Sequence, residues 1–512
     1  MRSPSAPPPK SDVFARAVLA VLLGLAFMPL LLTPIPAMVD YPNHLARMFI
    51  LARDGTPEAH PFYQVTWALY PNLAMDLIVP PAGRLIGVET ATRLFTLLSQ
   101  LLVVSGAMVL ERVVKGEARI AGFVAVIFLY SLPFAWGFLN FEFGLGVALW
   151  GIAAALALQE RGWAARLAVN AVFCLLLFTA HFFTLGIYGF ALGLHEVWRA
   201  AARRSPLPET LGRLAVLALP AAALVAVMAL TGGSVGGEGT NWFLEMKPRW
   251  AFYVLSGYSL ILSIAGAVVL IVLIYCLARH GALRFVQSGA WLAIGFAVLY
   301  LAMPSRLLDT SFVDVRVLVA AALILPAFVS VTFPDKRWQL VTLGCVSALA
   351  LVQIATVAWI WTDYRSDYAA VRDSFKLLGK GARVLIGHSG SGDDPPFGNL
   401  SEYPIYNAPI LAVNDADAFV PNLFAAKGKQ PVSARPGWER LTIPHAGPAP
   451  VALLKQIAEA GAPPGTPLFI RSWPQDYEFL YMLGPHGPNP LPALLDELAS
   501  GRRFVLYGIR RP

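Results

Sequence analysis

Apolar runs long enough to cross a bilayer recur along this chain as far as residue 360, and then the pattern changes. Eleven runs stand out, at 14–33, 92–111, 120–137, 143–159, 166–181, 183–198, 213–230, 257–278, 285–302, 316–333 and 339–360. Each predicts a membrane-spanning helix. Basic residues collect on alternate connections: Arg2, Lys10 and Arg16; Arg112, Lys115 and Arg119; Arg161 and Arg166; Arg199, Arg203, Arg204 and Arg213; Arg279 and Arg284; Lys336 and Arg337. Because cytoplasmic loops carry the excess of Lys and Arg, the N-terminus is expected in the cytoplasm and everything after the eleventh run outside. The first run also has the basic start and apolar core of a signal segment. Its weak small-residue cleavage site, "TPIPAM", favours a retained anchor.

A long outer loop, 34–91, separates the first two runs. From Pro42 onward, Leu45, Met48, Phe49 and Ala52 recur at helical spacing, with Asn43, Arg47 and Asp54 away from them. That pattern predicts a helix lying in the membrane interface. A second segment, "NLAMDLIVPPAGRLIG", is interrupted by Asp76, Pro80, Pro81 and Arg84, and is expected to lie along the surface too.

After Trp361 the chain turns to short alternating patterns rich in Pro and Gly. "ARVLIGH", "APILAVN", "TPLFIRS" and "RFVLYGI" read as strands. "SDYAAVRDSFKLLG", "VALLKQIAEAG" and "LPALLDELASG" read as helices, the last two stopping at Gly461 and Gly501. A segment of this length can support its own core. No solenoid repeat or coiled coil is visible.

Composition sharpens the class. Of 512 residues, 57% are hydrophobic and 14% charged, where a soluble domain is about a quarter charged. The expected architecture is a polytopic α-helical membrane protein. Residues 1–362 form the transmembrane module, and 363–512 an extracytoplasmic α/β domain. The net charge of +8 reports topology, and no nucleic-acid partner is expected. Cys174, Cys276 and Cys345 all fall inside apolar runs, which predicts core thiols without a disulfide framework.

The candidate chemistry starts at "MVDYPNHLARMF", where Asp40, His44 and Arg47 follow the first span. An ionised carboxylate beside apolar surface is a functional candidate. It reads equally well as the cap of the helix starting near Pro42. His44, four residues on, shares its helix face if the helix begins that early, and otherwise reads as a surface histidine. Glu142 and Asn140 occupy the outer turn between the third and fourth runs, and His181 the turn between the fifth and sixth. Glu142 reads as a cavity carboxylate or a solvated turn residue; His181 as a site residue or a packing histidine. In "MPSRLLDTSFVDVRVLVAA", Arg306 and Arg316 flank Asp309 and Asp314. Either these arginines hold an anion or they pair with the two aspartates.

An aspartate in the first outer loop right after span one, interfacial helices, many spans and an extracytoplasmic C-terminal domain together resemble the GT-C glycosyltransferases. The resemblance covers the architecture of most of the chain, while its sequence-specific part is the short stretch "VDYPNH". It implies transfer of a sugar from a polyprenyl-phosphate donor to a lipid, glycan or protein acceptor at a bacterial inner membrane. Asp40 would be the general base, and Arg316 or Arg306 would hold the lipid phosphate. Many members carry an acidic pair at the Asp40 position; here Asp40 is followed by Tyr41, and one carboxylate is a poor divalent site. No metal ligands are assigned, although a divalent ion is compatible with the resemblance. His44, Glu142 and His181 are the further candidates for substrate binding.

Two other readings compete: a lipid or polysaccharide transporter or flippase, and a non-catalytic envelope assembly protein. Transporters place ionisable groups near the midplane in repeated halves, whereas here the charges cluster at the outer ends of spans. The glycine-rich "TGGSVGGEGTN" lacks the GK[ST] end of a phosphate loop. "GHSGSGDD" has Ser391 where a nucleophile elbow needs Gly.

Overall fold

The computed structural model describes residues 10–231, 239–307, 310–390, 399–443, 447–484 and 487–511. Asp309, most of the glycine-rich stretch and Ser391 lie outside the described residues. Fifteen principal helices follow in chain order: α1 (Lys10–Leu32), α2 (Tyr41–Arg53), α3 (Ala74–Ile86), α4 (Val88–Lys115), α5 (Ala121–Phe128), α6 (Leu132–Trp136), α7 (Leu139–Ala157), α8 (Trp163–Ala180), α9 (Phe182–Arg203), α10 (Leu207–Leu230), α11 (Lys247–Tyr253), α12 (Leu260–Arg279), α13 (Gly289–Ala302), α14 (Val313–Ile324) and α15 (Lys336–Ser374).

Among the described residues, seven helices are long and apolar enough to cross a membrane: α1, α4, α7, α8, α10, α12 and α15. The other four expected runs take shorter or more polar forms. Run 120–137 breaks into α5 and α6, with Pro133 restarting the helix in the first turn. Run 183–198 becomes α9, whose last turns carry His195, Glu196, Arg199 and Arg203. Run 285–302 gives the 14-residue α13, and run 316–333 the 12-residue α14 followed by a 3₁₀ turn and the strand Val329–Val331.

The last span continues far beyond the bilayer. Helix α15 is 39 residues long, or about 58 Å at 1.5 Å per residue, against a hydrocarbon core of about 30 Å. The predicted span 339–360 and the predicted helix starting at Ser366 are therefore one element, and the 362/363 boundary falls inside it.

The C-terminal domain is built on a five-stranded sheet. The strands run in the order Leu495–Gly501, Phe504–Ile509, Phe479–Leu483, Val384–His388 and Ala449–Pro450. Phe479–Leu483 pairs parallel to Val384–His388 and antiparallel to Phe504–Ile509. Three sequence expectations fail here. "APILAVN" is a 3₁₀ segment running into a helical turn, "TPLFIRS" contains the short helix Leu468–Arg471, and "LPALLDELASG" ends in the strand Leu495–Gly501. In the last case, pairing with Phe504–Ile509 satisfies the backbone and overrides helix propensity.

The 34–91 loop and this domain share one core. Strand Tyr63–Val65 of the loop pairs with Val432–Ala434 of the domain. Tyr63 donates its hydroxyl to the Val420 carbonyl at 2.8 Å, and Arg53 pairs with Asp417 at 2.6 Å. Helix α2 consequently has no free polar face. Asn43 and Arg47 are both buried, Asn43 accepting from the Phe424 backbone N–H. The interfacial reading fails because a partner distant in sequence covers the polar side.

Candidate active site

The turn before α2 is held by side chains and backbone: the Tyr258 hydroxyl donates to the Ala37 carbonyl (2.7 Å) and Asn407 Nδ2 to the Val39 carbonyl (2.8 Å). Val39 and Asp40 donate their N–H groups to the carbonyls of Ala135 (3.1 Å) and Trp136 (2.8 Å) at the end of α6. This close approach needs Gly137. Its φ is +91°, and a Cβ there would sit 3.2 Å from Asp40 Cβ.

Asp40 stands at the N-cap of α2, but its side chain makes no cap hydrogen bond. The cap reading of this residue therefore fails. Among the described residues no hydrogen bond or ion pair to its carboxylate is formed, and the side chain keeps partial exposure. Burial raises its pKa to about 7, with the nearby Arg316 guanidinium pulling the other way.

Arg316 lies one turn into α14 and is 4% exposed. One guanidinium nitrogen meets His181 Nε2 at 2.9 Å, another donates to the Ser311 carbonyl at 3.3 Å, and Nε is buried without a partner. The guanidinium lies over the rings of Phe138 (4.2 Å) and Phe141 (5.3 Å). It interacts through space with both Asp40 and Glu142 but makes no direct ion pair with either. Phe312, just before α14, has φ +58°, a left-handed conformation that is strained for an aromatic residue. Ring contacts to Trp136 (5.2 Å) and Trp250 (5.5 Å) hold it.

Glu142, in the first turn of α7, is buried, and its Oε1 has no hydrogen-bond partner. His181 caps α9, its Nδ1 accepting from the Phe183 N–H. Gly144 lets α7 and α9 approach: a Cβ there would lie 2.5 Å from Thr184 Oγ1. The fold thus gathers Asp40, Glu142, His181 and Arg316 from four separate segments.

Other candidates fall elsewhere. His44 is buried against the Phe424 ring at 5.7 Å. Burial and Arg47 push its pKa down to about 3, so it offers no charge to an anion. Arg306 is exposed in a short strand paired with Ser311. Asp314 is not a partner of either arginine. It pairs with Lys247 at 3.0 Å and accepts from Ser305 Oγ at 2.6 Å. Arg47 pairs with Asp76 at 2.8 Å and donates to Gln430. The stacking residues Phe138 and Phe141 were not singled out from the sequence; the density of aromatic residues in "WGFLNFEFG" was the available signal. Among the described residues, no group of three His, Cys, Asp or Glu side chains is placed to hold a metal ion.

No protein-family model and no curated protein matches the chain. Two crystal structures of ArnT from Cupriavidus metallidurans are similar to it over nearly the whole length. The form bound to undecaprenyl phosphate has 13% sequence identity and a TM-score of 0.49, covering 97% of this chain and 98% of that one. The apo form has 14% identity and a TM-score of 0.47, covering 98% of each. A likeness at this level leaves the function of the chain to be argued from its own residues.

Proposed function

We propose that this chain is an integral-membrane glycosyltransferase that moves a sugar from a polyprenyl-phosphate donor to an extracytoplasmic acceptor. The observation that carries the reading is a carboxylate without a hydrogen-bond partner, Asp40, close to a buried guanidinium, Arg316, that has donors to spare. Asp40 takes the proton of the acceptor hydroxyl as its oxygen attacks the sugar C1. The bond from C1 to the donor phosphate breaks, and polyprenyl phosphate leaves. Arg316 faces the negative charge that develops on that phosphate, its planar fork suited to two phosphate oxygens. His181 and the Phe138 ring fix the guanidinium in place. Glu142 is the second acidic side chain at the site, and it interacts with the Arg316 guanidinium through space.

The charge pattern of the connections supports an N-terminus in the cytoplasm, with residues 34–91 and the C-terminal domain on the periplasmic side of a bacterial inner membrane.

The test is incubation of the purified protein with labelled polyprenyl-phosphate sugars, beginning with undecaprenyl phosphate carriers. Transfer or hydrolysis that depends on Asp40 supports the reading. Translocation of the intact donor across vesicles, without cleavage, makes the protein a transporter instead.

A further inference from the structure

The end of the bundle opposite Asp40 holds a second charged cluster that the proposed reaction does not use. Glu196 on α9 is ringed by three guanidiniums: Arg166 at 2.8 Å, Arg199 at 3.7 Å and Arg213 at 3.9 Å. Arg213 Nη1, Arg199 Nε and Glu196 Oε2 are all buried without a hydrogen-bond partner. The remaining acids nearby, Glu160 and Glu209, pair with Arg199, Arg203 and Arg213, but their side chains are 62% and 50% exposed. The buried part of the cluster therefore carries excess positive charge. Buried donors left unpaired are costly, and a pair with an exposed carboxylate such as Glu209 contributes little. An incoming anion can take over these donors with little loss.

This cluster adjoins empty space. A small cavity of about 40 Å³ is lined by Arg166, Asn170, Tyr188, His195, Glu196 and Arg213. Tyr188 and Leu217 also wall a second cavity of about 320 Å³ between α8, α9 and α10, which is lined almost entirely by apolar groups. Gly189 and Gly193 of α9 line that groove, and a Cβ at either would meet nothing within 4 Å. An apolar groove ending in a cationic pocket has the chemistry of a lipid with an anionic headgroup.

We propose that the groove between α8, α9 and α10 binds one anionic glycerophospholipid, its chain along Gly189 and Gly193 and its phosphate on Arg166 and Arg213. Its assignment to the cytoplasmic leaflet rests on the orientation proposed above, whereas lipid retention is read independently of sugar transfer. The negative surface of the cytoplasmic leaflet favours such a site.

The test is native mass spectrometry and thermal melting of the whole protein reconstituted in phosphatidylglycerol or phosphatidylcholine vesicles. Wild type should retain phosphatidylglycerol and melt higher in its presence. Arg166→Gln with Arg213→Gln should weaken retention by roughly 30-fold. Gly193→Leu keeps every charge and fills the groove, and it should abolish retention while the protein stays folded. Arg203→Gln, at an exposed position, should change nothing. Equal melting in both lipids overturns the proposal. So does retention that survives Gly193→Leu. An equal shift from inorganic phosphate would also overturn it, since an ion needs no apolar groove; so would a cluster that binds only water, seen as no retained lipid.

Discussion

Asp40→Asn separates chemistry from structure at the proposed site. The amide keeps the shape of the carboxylate, and α2 loses no cap, because Asp40 makes no side-chain bond to the helix. Removing one positioned general base lowers rate by about 10²–10⁴. The stability effect follows from the carboxyl group's pKa of about 7. A folded-state pKa raised by burial means that the folded chain binds this proton more tightly than the unfolded chain. Stability is then lost as pH climbs from the ordinary carboxylate range through about 7, and stays lower above it. At about pH 8 the ionised group penalises the fold by up to about 4 kcal/mol, a ceiling that the partial exposure of Asp40 lowers. An amide escapes that penalty. Asp40→Asn should therefore melt no lower than wild type at about pH 8, while transfer from a labelled polyprenyl-phosphate sugar collapses. The wild-type rate should rise with pH and level off above about 7, where Asp40 is in its basic form. Near-normal transfer by Asp40→Asn would refute the assignment and move attention to Glu142. A clear drop in melting temperature would make Asp40 a structural residue.

Arg316→Ala should raise KM for the donor, and because Arg316 lowers the Asp40 pKa, the acid limb of the pH–rate profile should move to higher pH; an unmoved limb would separate the two residues. Arg47→Ala leaves Asp76 buried without its partner, so chemical denaturation should show a loss of about 3–5 kcal/mol. Replacing both by apolar residues of similar volume should recover much of it. Residues 363–512 produced alone lack the strand Tyr63–Val65 and the Tyr63 side chain that the domain packs on. That fragment should be protease-sensitive and gain protection from the 34–91 segment, and a resistant fragment would show that the domain core closes without the loop.

The sequence determined where the helices lie, because the length of an apolar run and its flanking charges are local properties. Each of the eleven runs overlaps helix, although run 120–137 breaks in two and run 316–333 ends in the strand Val329–Val331, and the two loop helices begin within a few residues of their expected starts. It also marked Asp40 as a candidate, since a carboxylate at the end of a span is anomalous wherever the chain goes next. Tertiary structure decided the rest. Arg47 reads as an exposed interfacial residue until Gln430, far along the chain, covers it. "LPALLDELASG" has helical periodicity, yet its end is a strand because Phe504–Ile509 lies beside it. Between Arg306 and Arg316 the sequence had no means to choose. One faces solvent on a two-residue strand, and the other is drawn into the bundle by His181, Phe138 and Phe141. The convergence of Asp40, Glu142, His181 and Arg316 depends on close helix approaches at Gly137 and Gly144, and a glycine reveals what it admits only when its neighbour is in place.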